Sequence, residues 1–157
     1  MQIPEDQLSM GYLMHWGARL LRRMADRRLK ALGLSSAHLP VINALARGGA
    51  LSQKALAQVA AIEQPTMAAT LSRMERDGIL ERAPDPADGR SALFSLTAGT
   101  KRKLPALRRV IEEVNAEALR GLPESQRQPF RRQLLAAIRG MERELSAGME
   151  EAVETPR

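Results

Sequence analysis

Cysteine is absent from this 157-residue chain. That excludes a disulfide framework, a thiolate zinc site and a cysteine redox sensor together. Aromatic residues are scarce: two Phe, one Tyr and one Trp. So few flat rings offer no platform for stacking unpaired bases, which argues against a reader of single strands or RNA. Histidine occurs only as His15 and His38, and there is no glycine-rich phosphate loop. No nucleophile–base pair or metal set can be assembled from these residues, so neither an enzyme nor a cofactor or metal is expected. No apolar run reaches the 18 residues of a membrane span, and the acidic, proline-containing start MQIPEDQ is unlike a signal peptide. No membrane association is expected, and the expected compartment is cytoplasmic.

What the chain has in excess is positive charge, 24 Lys and Arg against 18 Asp and Glu, for a formal net charge of +6. A balance of that size favours a polyanionic partner. The plainer reading of charge alone is a soluble basic protein. The length suffices for one domain with a substantial core.

The stretch from Glu63 to Leu96 organises the rest. EQPTMAATLSRMERDG reads as a short helix, with Pro65 in the first turn and Gly78 as its stop. Met67, Leu71 and Met74 form one apolar stripe, while Thr66, Ala69, Thr70 and Arg73 are expected on another face. That second face is small, polar and basic, suited to a groove rather than a core. Ile79 and Leu80, then Leu93, Phe94 and Leu96, read as two strands flanking the turn-rich tip PDPADGRS. Ser52 is the expected N-cap of the preceding helix, SQKALAQVA, with Leu56 and Val59 facing inward. About four residues, Ala61 to Gln64, connect the two helices, which makes them a helix-turn-helix. In that motif the second helix enters the major groove N-terminus first, bringing Gln64 and Thr66 forward. Arg90 on the hairpin tip is placed to reach a minor groove, braced by Asp88 or Asp85. Without the neighbouring helix, the same tip would read as an exposed charged turn.

Long helices flank this region. The first is expected from about Glu5 to Leu32, with Leu13, Trp16, Leu20 and Met24 as its stripe and a basic, solvated opposite side. Tyr12, His15, Trp16 and Arg19 lie within two turns and suggest a pocket for an aromatic anion, although packing or interface residues is the blander account. His38, isolated at a helix start, reads most simply as a surface or packing residue. Thr97 should cap the next helix, in which Pro105 implies a kink or a later start. The last helix carries Phe130, Leu134, Ile138, Met141 and Leu145 at spacings of three and four, with Ser125 and Gln128 as a possible capping box. Three such stripes exceed what a small winged domain can cover, which implies a homodimer. The expected fold class is mainly α with a small β-wing. A winged helix-turn-helix at 35–100 would lie between dimerisation helices at 1–34 and 101–157.

The segments GLSSAHLPVINALARGG, LSQKALAQVAAIEQPTMAATLSRMERDGILER and PDPADGRSALFSLTAGT resemble the multiple-antibiotic-resistance regulator (MarR) family of bacterial transcription factors. The likeness spans roughly residues 10 to 145 and is most specific between Leu51 and Thr100. The resemblance implies a homodimeric repressor with two winged lobes on a near-palindromic duplex operator. It also implies that an aromatic acid or its thioester lowers operator affinity. Carried over by position, groove reading falls on Gln64, Pro65, Thr66, Ala69, Thr70 and Arg73, and the wing pair on Asp88 and Arg90. Ser52 and Gln53 match positions near phosphate. The effector would draw on Tyr12, His15, Trp16, Arg19 and His38. Ala68 and Ala69 stand where many relatives carry longer, polar or basic side chains, so fewer base-edge hydrogen bonds are expected there. Gly89 and Ala83 replace residues often basic in the family, so wing affinity is expected to be weaker or to rest more on Arg90. The alternative is a winged-helix protein-interaction or architectural module, which would show no sequence preference on DNA.

Overall fold

A computed structural model of the chain describes residues 7–88 and 91–154, and for 147–154 the backbone alone. The elements are α1 (Met10–Leu29), α2 (Leu39–Gly48), β1 (Leu51–Ser52), α3 (Gln53–Ala60), α4 (Gln64–Arg76), β2 (Leu80–Pro84), β3 (Ala92–Leu96), α5 (Ala98–Ala118) and α6 (Glu124–Glu154). Two single 3₁₀ turns, Lys30–Leu32 and Ser36–His38, join α1 to α2. The chain divides into residues 1–114 and 115–157.

In the first unit the winged helix-turn-helix is complete in its backbone order. Leu29, Val41, Ile42, Leu56, Met67 and Met74 are fully buried, and Leu71 and Leu96 nearly so. These side chains come from α1, α2, α3, α4 and β3, so one apolar cluster locks the elements together. Burying a side chain of this size contributes about 1.5–3 kcal/mol. The three-stranded antiparallel sheet has the order β1-β3-β2. β2 and β3 pair from Leu80↔Leu96 to Pro84↔Ala92, and β1 adds Leu51↔Phe94 and Ser52↔Leu93.

The joint between the sheet and α5 is held by two hydroxyls. Thr97 Oγ1 donates to the carbonyl of Gly78 (3.0 Å) and accepts from the Thr100 N–H (3.2 Å), the expected N-cap. The buried Thr100 hydroxyl donates to the Ile79 carbonyl (2.9 Å). Gly78, at φ 69°, supplies the left-handed residue that ends α4 and turns the chain into β2. Lys103 Nζ donates to the Leu32 carbonyl (2.8 Å), so a cation satisfies a carbonyl left free where α1's extension ends.

Several expectations need correction. α1 begins at Met10, where the Ser9 hydroxyl accepts from the Tyr12 N–H (3.1 Å), rather than at Glu5, which lies outside the described residues. Its α-helical part ends at Leu29 and one 3₁₀ turn finishes the run. β1 was not anticipated: two residues are too short to show a period. Val59 is 66% exposed, and Ala57 is the small residue that α3 buries beside Leu56. α5 starts at Ala98 and runs through Pro105, whose side is exposed, without a delayed start.

In the second unit, α6 begins at Glu124 after Pro123, so Ser125 lies inside the first turn and is not the cap. The Gln126 N–H donates to the Pro123 carbonyl (2.9 Å), and Arg127 Nε to that of Leu122 (3.3 Å). None of the side chains described on α6 is buried.

Candidate nucleic-acid interface

Local sequence explains how α4 is presented. Ser52 has extended backbone and its hydroxyl accepts from the Ala55 N–H (3.3 Å), starting α3. Ala61 then adopts a left-handed conformation (φ 50°, ψ 47°) and its N–H closes back onto α3. That conformation costs an alanine about 1–2 kcal/mol, but it lets the chain reverse within three residues, Ala61 to Glu63. Half-buried Ile62 packs against the core at this turn, so the apolar contact offsets the backbone strain.

Two faces of α4 have opposite fates. Met67, Leu71 and Met74 are buried at 0–1% exposure. Gln64, Pro65, Thr66, Ala69, Ser72, Arg73 and Arg76 are exposed. Thr70 departs from the expected face. It is 9% exposed and its hydroxyl donates to the Thr66 carbonyl one turn back (2.9 Å). At 100° per residue, Thr70 lies at the margin of the buried stripe, whereas Ser72 and Arg76 lie near the middle of the outward face. Those two were missed by reasoning from sequence, although extending the Pro65–Ala69 spacing by three and then four residues reaches them. Arg76 Nε meets Asp77 Oδ1 at 3.2 Å with both side chains largely in solvent, a pair of small energetic worth that leaves the guanidinium free to exchange partners.

At the leading end of α4, Gln53 Nε2 donates to Gln64 Oε1 (3.2 Å). The two glutamines come from the first positions of α3 and α4, so this bond crosses the helix-turn-helix. Ahead of α2, His38 Nδ1 accepts from the Ser35 N–H (3.2 Å), and Asp26 Oδ1 accepts from the Ser36 N–H (2.6 Å). Burial holds the His38 imidazole below its usual pKa and Arg73 adds to that, while Asp77 and Asp26 oppose it. His38 thus faces charges on α1 and α4.

The wing is formed by β2, β3 and their loop. Asp85 Oδ1 accepts from the Ala87 N–H (2.9 Å), the Asp85 N–H bonds to the Ser91 carbonyl (3.1 Å), and the Ser91 N–H to the Asp88 carbonyl (2.8 Å). The Asp85 carboxylate therefore shapes the loop's own backbone. Arg90 and Gly89 lie outside the described residues, and with them the expected Asp88–Arg90 brace. Arg82 on β2 lies 6.0 Å from the Phe94 ring centroid across the ribbon, at the outer limit of a cation–π contact.

Of the five residues considered for an effector, Tyr12, His15, Trp16 and Arg19 share the exposed first half of α1, with the Tyr12 and Trp16 rings 6.0 Å apart. His38 is grouped with Asp26 and α4 instead, and Asp26 is about 10 Å further along α1 than Arg19. Among the described residues no group of three His, Cys, Asp or Glu could hold a metal, and no helix is long and apolar enough to cross a membrane.

A family model described as the MarR family matches residues 32–91, from the end of α1's extension through the wing loop. That segment, the winged part of the chain, is similar to the MarR family. The chain is also similar to solved structures over most of its length. A crystal structure of MarR is 24% identical, with 94% of this chain and 99% of that one covered and a TM-score of 0.80. A probable transcriptional regulator from Pseudomonas aeruginosa is 25% identical over 85% and 98%, with a TM-score of 0.75. The S. aureus MepR–DNA complex is 18% identical over 85% and 99%, with a TM-score of 0.76. These matches agree with the mainly helical winged fold.

Proposed function

We propose that this protein is a MarR-family regulator, a ligand-responsive repressor that binds a near-palindromic DNA operator as a homodimer. The observation that carries the reading is the outward face of α4, where Pro65, Thr66, Ala69, Ser72, Arg73 and Arg76 stand clear of the core. Small side chains let the helix axis approach base edges, and two arginines supply charge for phosphates or guanine. The net charge of +6 favours duplex DNA as the partner. Two relatives of the same fold were solved with DNA, one of them with operator DNA. In this reading Gln64, Pro65, Thr66, Ala69 and Arg73 face the groove. Ser52 and Gln53 lie by phosphate, Thr70 supports α4 from its buried edge, and Asp88 and Arg90 serve the wing.

Homodimerisation is supported by apolar residues that the single chain leaves in water. Leu13, Trp16, Leu20 and Leu21 on α1 are 39–45% exposed, and Phe130, Leu134, Leu135, Ile138 and Met141 on α6 are 37–47% exposed. Rows of this kind signal an interaction surface. A two-fold dimer places half-sites about one helical turn apart. The effector is an aromatic acid or thioester held near Tyr12, His15, Trp16 and Arg19, and His38, set beside Asp26, lies apart from that group.

Titration of operator duplex at fixed salt tests the central claim. Arg90→Ala should weaken binding by about 1–3 kcal/mol, and affinity should fall steeply as salt rises. Binding that ignores both salt and sequence would instead favour a protein-interaction module. Melting-temperature shifts across a panel of aromatic acids and their thioesters test the effector assignment; a panel with no shift would remove it.

A further inference from the structure

We infer that Gln53 and Gln64 act as a two-residue adenine reader, in which Gln64 meets the base and Gln53 fixes the direction of its amide. The inference rests on the DNA-binding reading above and adds a base identity to it. Gln64 opens α4, the end that leads into the groove. It carries the only amide side chain in QPTMAATLSRMER, and its neighbours Pro65, Thr66 and Ala69 are too short to span a base edge bidentately. Gln64 is exposed, and its Oε1 accepts from Gln53 Nε2 at 3.2 Å.

That bond has a chemical consequence. An amide carbonyl has two lone pairs and its NH₂ two protons. With one lone pair taken by Gln53, the other and both Nε2 protons remain for a ligand. This acceptor-plus-donor pattern complements adenine, which shows its N6 amino donor and N7 acceptor in the major groove. Guanine shows two acceptors, O6 and N7. An unrestrained glutamine can turn by itself to point a proton at O6, whereas one held by Gln53 in the direction seen here points a lone pair there and is repelled, and reversing it requires both amides to turn together. Pinning also removes rotamer freedom before DNA arrives, so less is lost on binding. The second proton on Gln53 Nε2 is left for a phosphate oxygen.

Full-length protein and a duplex library randomised over about two helical turns provide the test. The wild type should enrich a half-site containing an adenine column. Replacing that adenine by guanine should weaken wild-type binding by about 5- to 150-fold. In Gln64→Ala the ratio should fall below about twofold, with the other columns retained. Gln53→Ala should give an intermediate ratio, and the double variant should be no worse than Gln64→Ala, because the two residues act as one unit. Replacing the adenine by 7-deazaadenine removes the N7 acceptor and tests the wild-type protein without any variant; binding should weaken in the wild type and not in Gln64→Ala. An unchanged base profile in Gln64→Ala, or indifference of the wild type to 7-deazaadenine, would overturn the reader. A wild-type ratio in Gln53→Ala would overturn the bracing. If the wild type enriches no sequence at all, the DNA-binding reading itself fails, a result distinct from either.

Discussion

Helices α2–α4 and helix α6 display the same helical period with opposite outcomes. On α2, α3 and α4 the apolar positions Val41, Ile42, Leu45, Leu56, Met67, Leu71 and Met74 are all 3% exposed or less. On α6 the equally regular row Phe130, Leu134, Ile138, Met141 and Leu145 is 38–71% exposed, apart from Leu134 at 37%. Periodicity states that a face needs an apolar partner; it does not state whether that partner is in the same chain. α4 adds the converse case. Its second face is exposed because it is small and polar, and a surface of that kind next to a basic loop suits a hydrated polyanion rather than another helix. An uncovered face is therefore read by its chemistry, and in the proposed function the apolar rows meet a second copy and the small basic row meets DNA.

The contrast is broken most sharply in the core. Leu71→Ala should cost about 2–5 kcal/mol of unfolding free energy, read by denaturant titration with circular dichroism. The equivalent cut on α6 should act on assembly instead. In the proposed homodimer, Ile138→Asp should lower dimer stability by about 3 kcal/mol by placing a carboxylate in an apolar contact, while the helical signal of the separated chain is kept. Sedimentation velocity at micromolar concentration reads this directly, and an unchanged dimer would locate the interface elsewhere. Ser52→Ala should cost about 1 kcal/mol through loss of the α3 cap, a smaller loss of stability without change in oligomeric state.

The smallest effect concerns His38. Its folded pKa is lowered, chiefly by burial, so below pH 6.5 the unfolded chain takes up a proton that the folded chain resists. The stabilising contribution is complete above that pH and is lost as pH falls from there towards the lowered folded value. His38→Gln should flatten this part of the stability-versus-pH curve, measured as melting temperature between pH 7.5 and 5. A curve identical to that of the wild type would mean that His38 contributes nothing to it.

Legibility in the sequence varied with the kind of signal. Ser52 and Thr97 were identifiable as caps because capping needs only a hydroxyl three residues ahead of an N–H. The pairing of Met67 with Leu71 and Met74 followed from spacing alone. Val59 misled because two large apolar residues, Leu56 and Val59, three apart in an eight-residue helix do not define a stripe. Thr70 misled because a threonine at the edge of a buried face satisfies its hydroxyl on the preceding turn and loses its outward role. β1 was hidden because a two-residue strand exists only by pairing with Leu93 and Phe94. His38 was isolated on paper and gained its charged neighbours only through folding.

Residue pattern alone determined the helical stripes, the caps, the break at Gly78 and the excess of positive charge, because each is set by chemistry within a few positions. Tertiary structure decided the rest: which apolar rows were covered, which side of α4 faced outward, and that Gln53 and Gln64 touch although eleven residues separate them. Those outcomes depend on contacts between distant segments, and no local period encodes the distance across a turn.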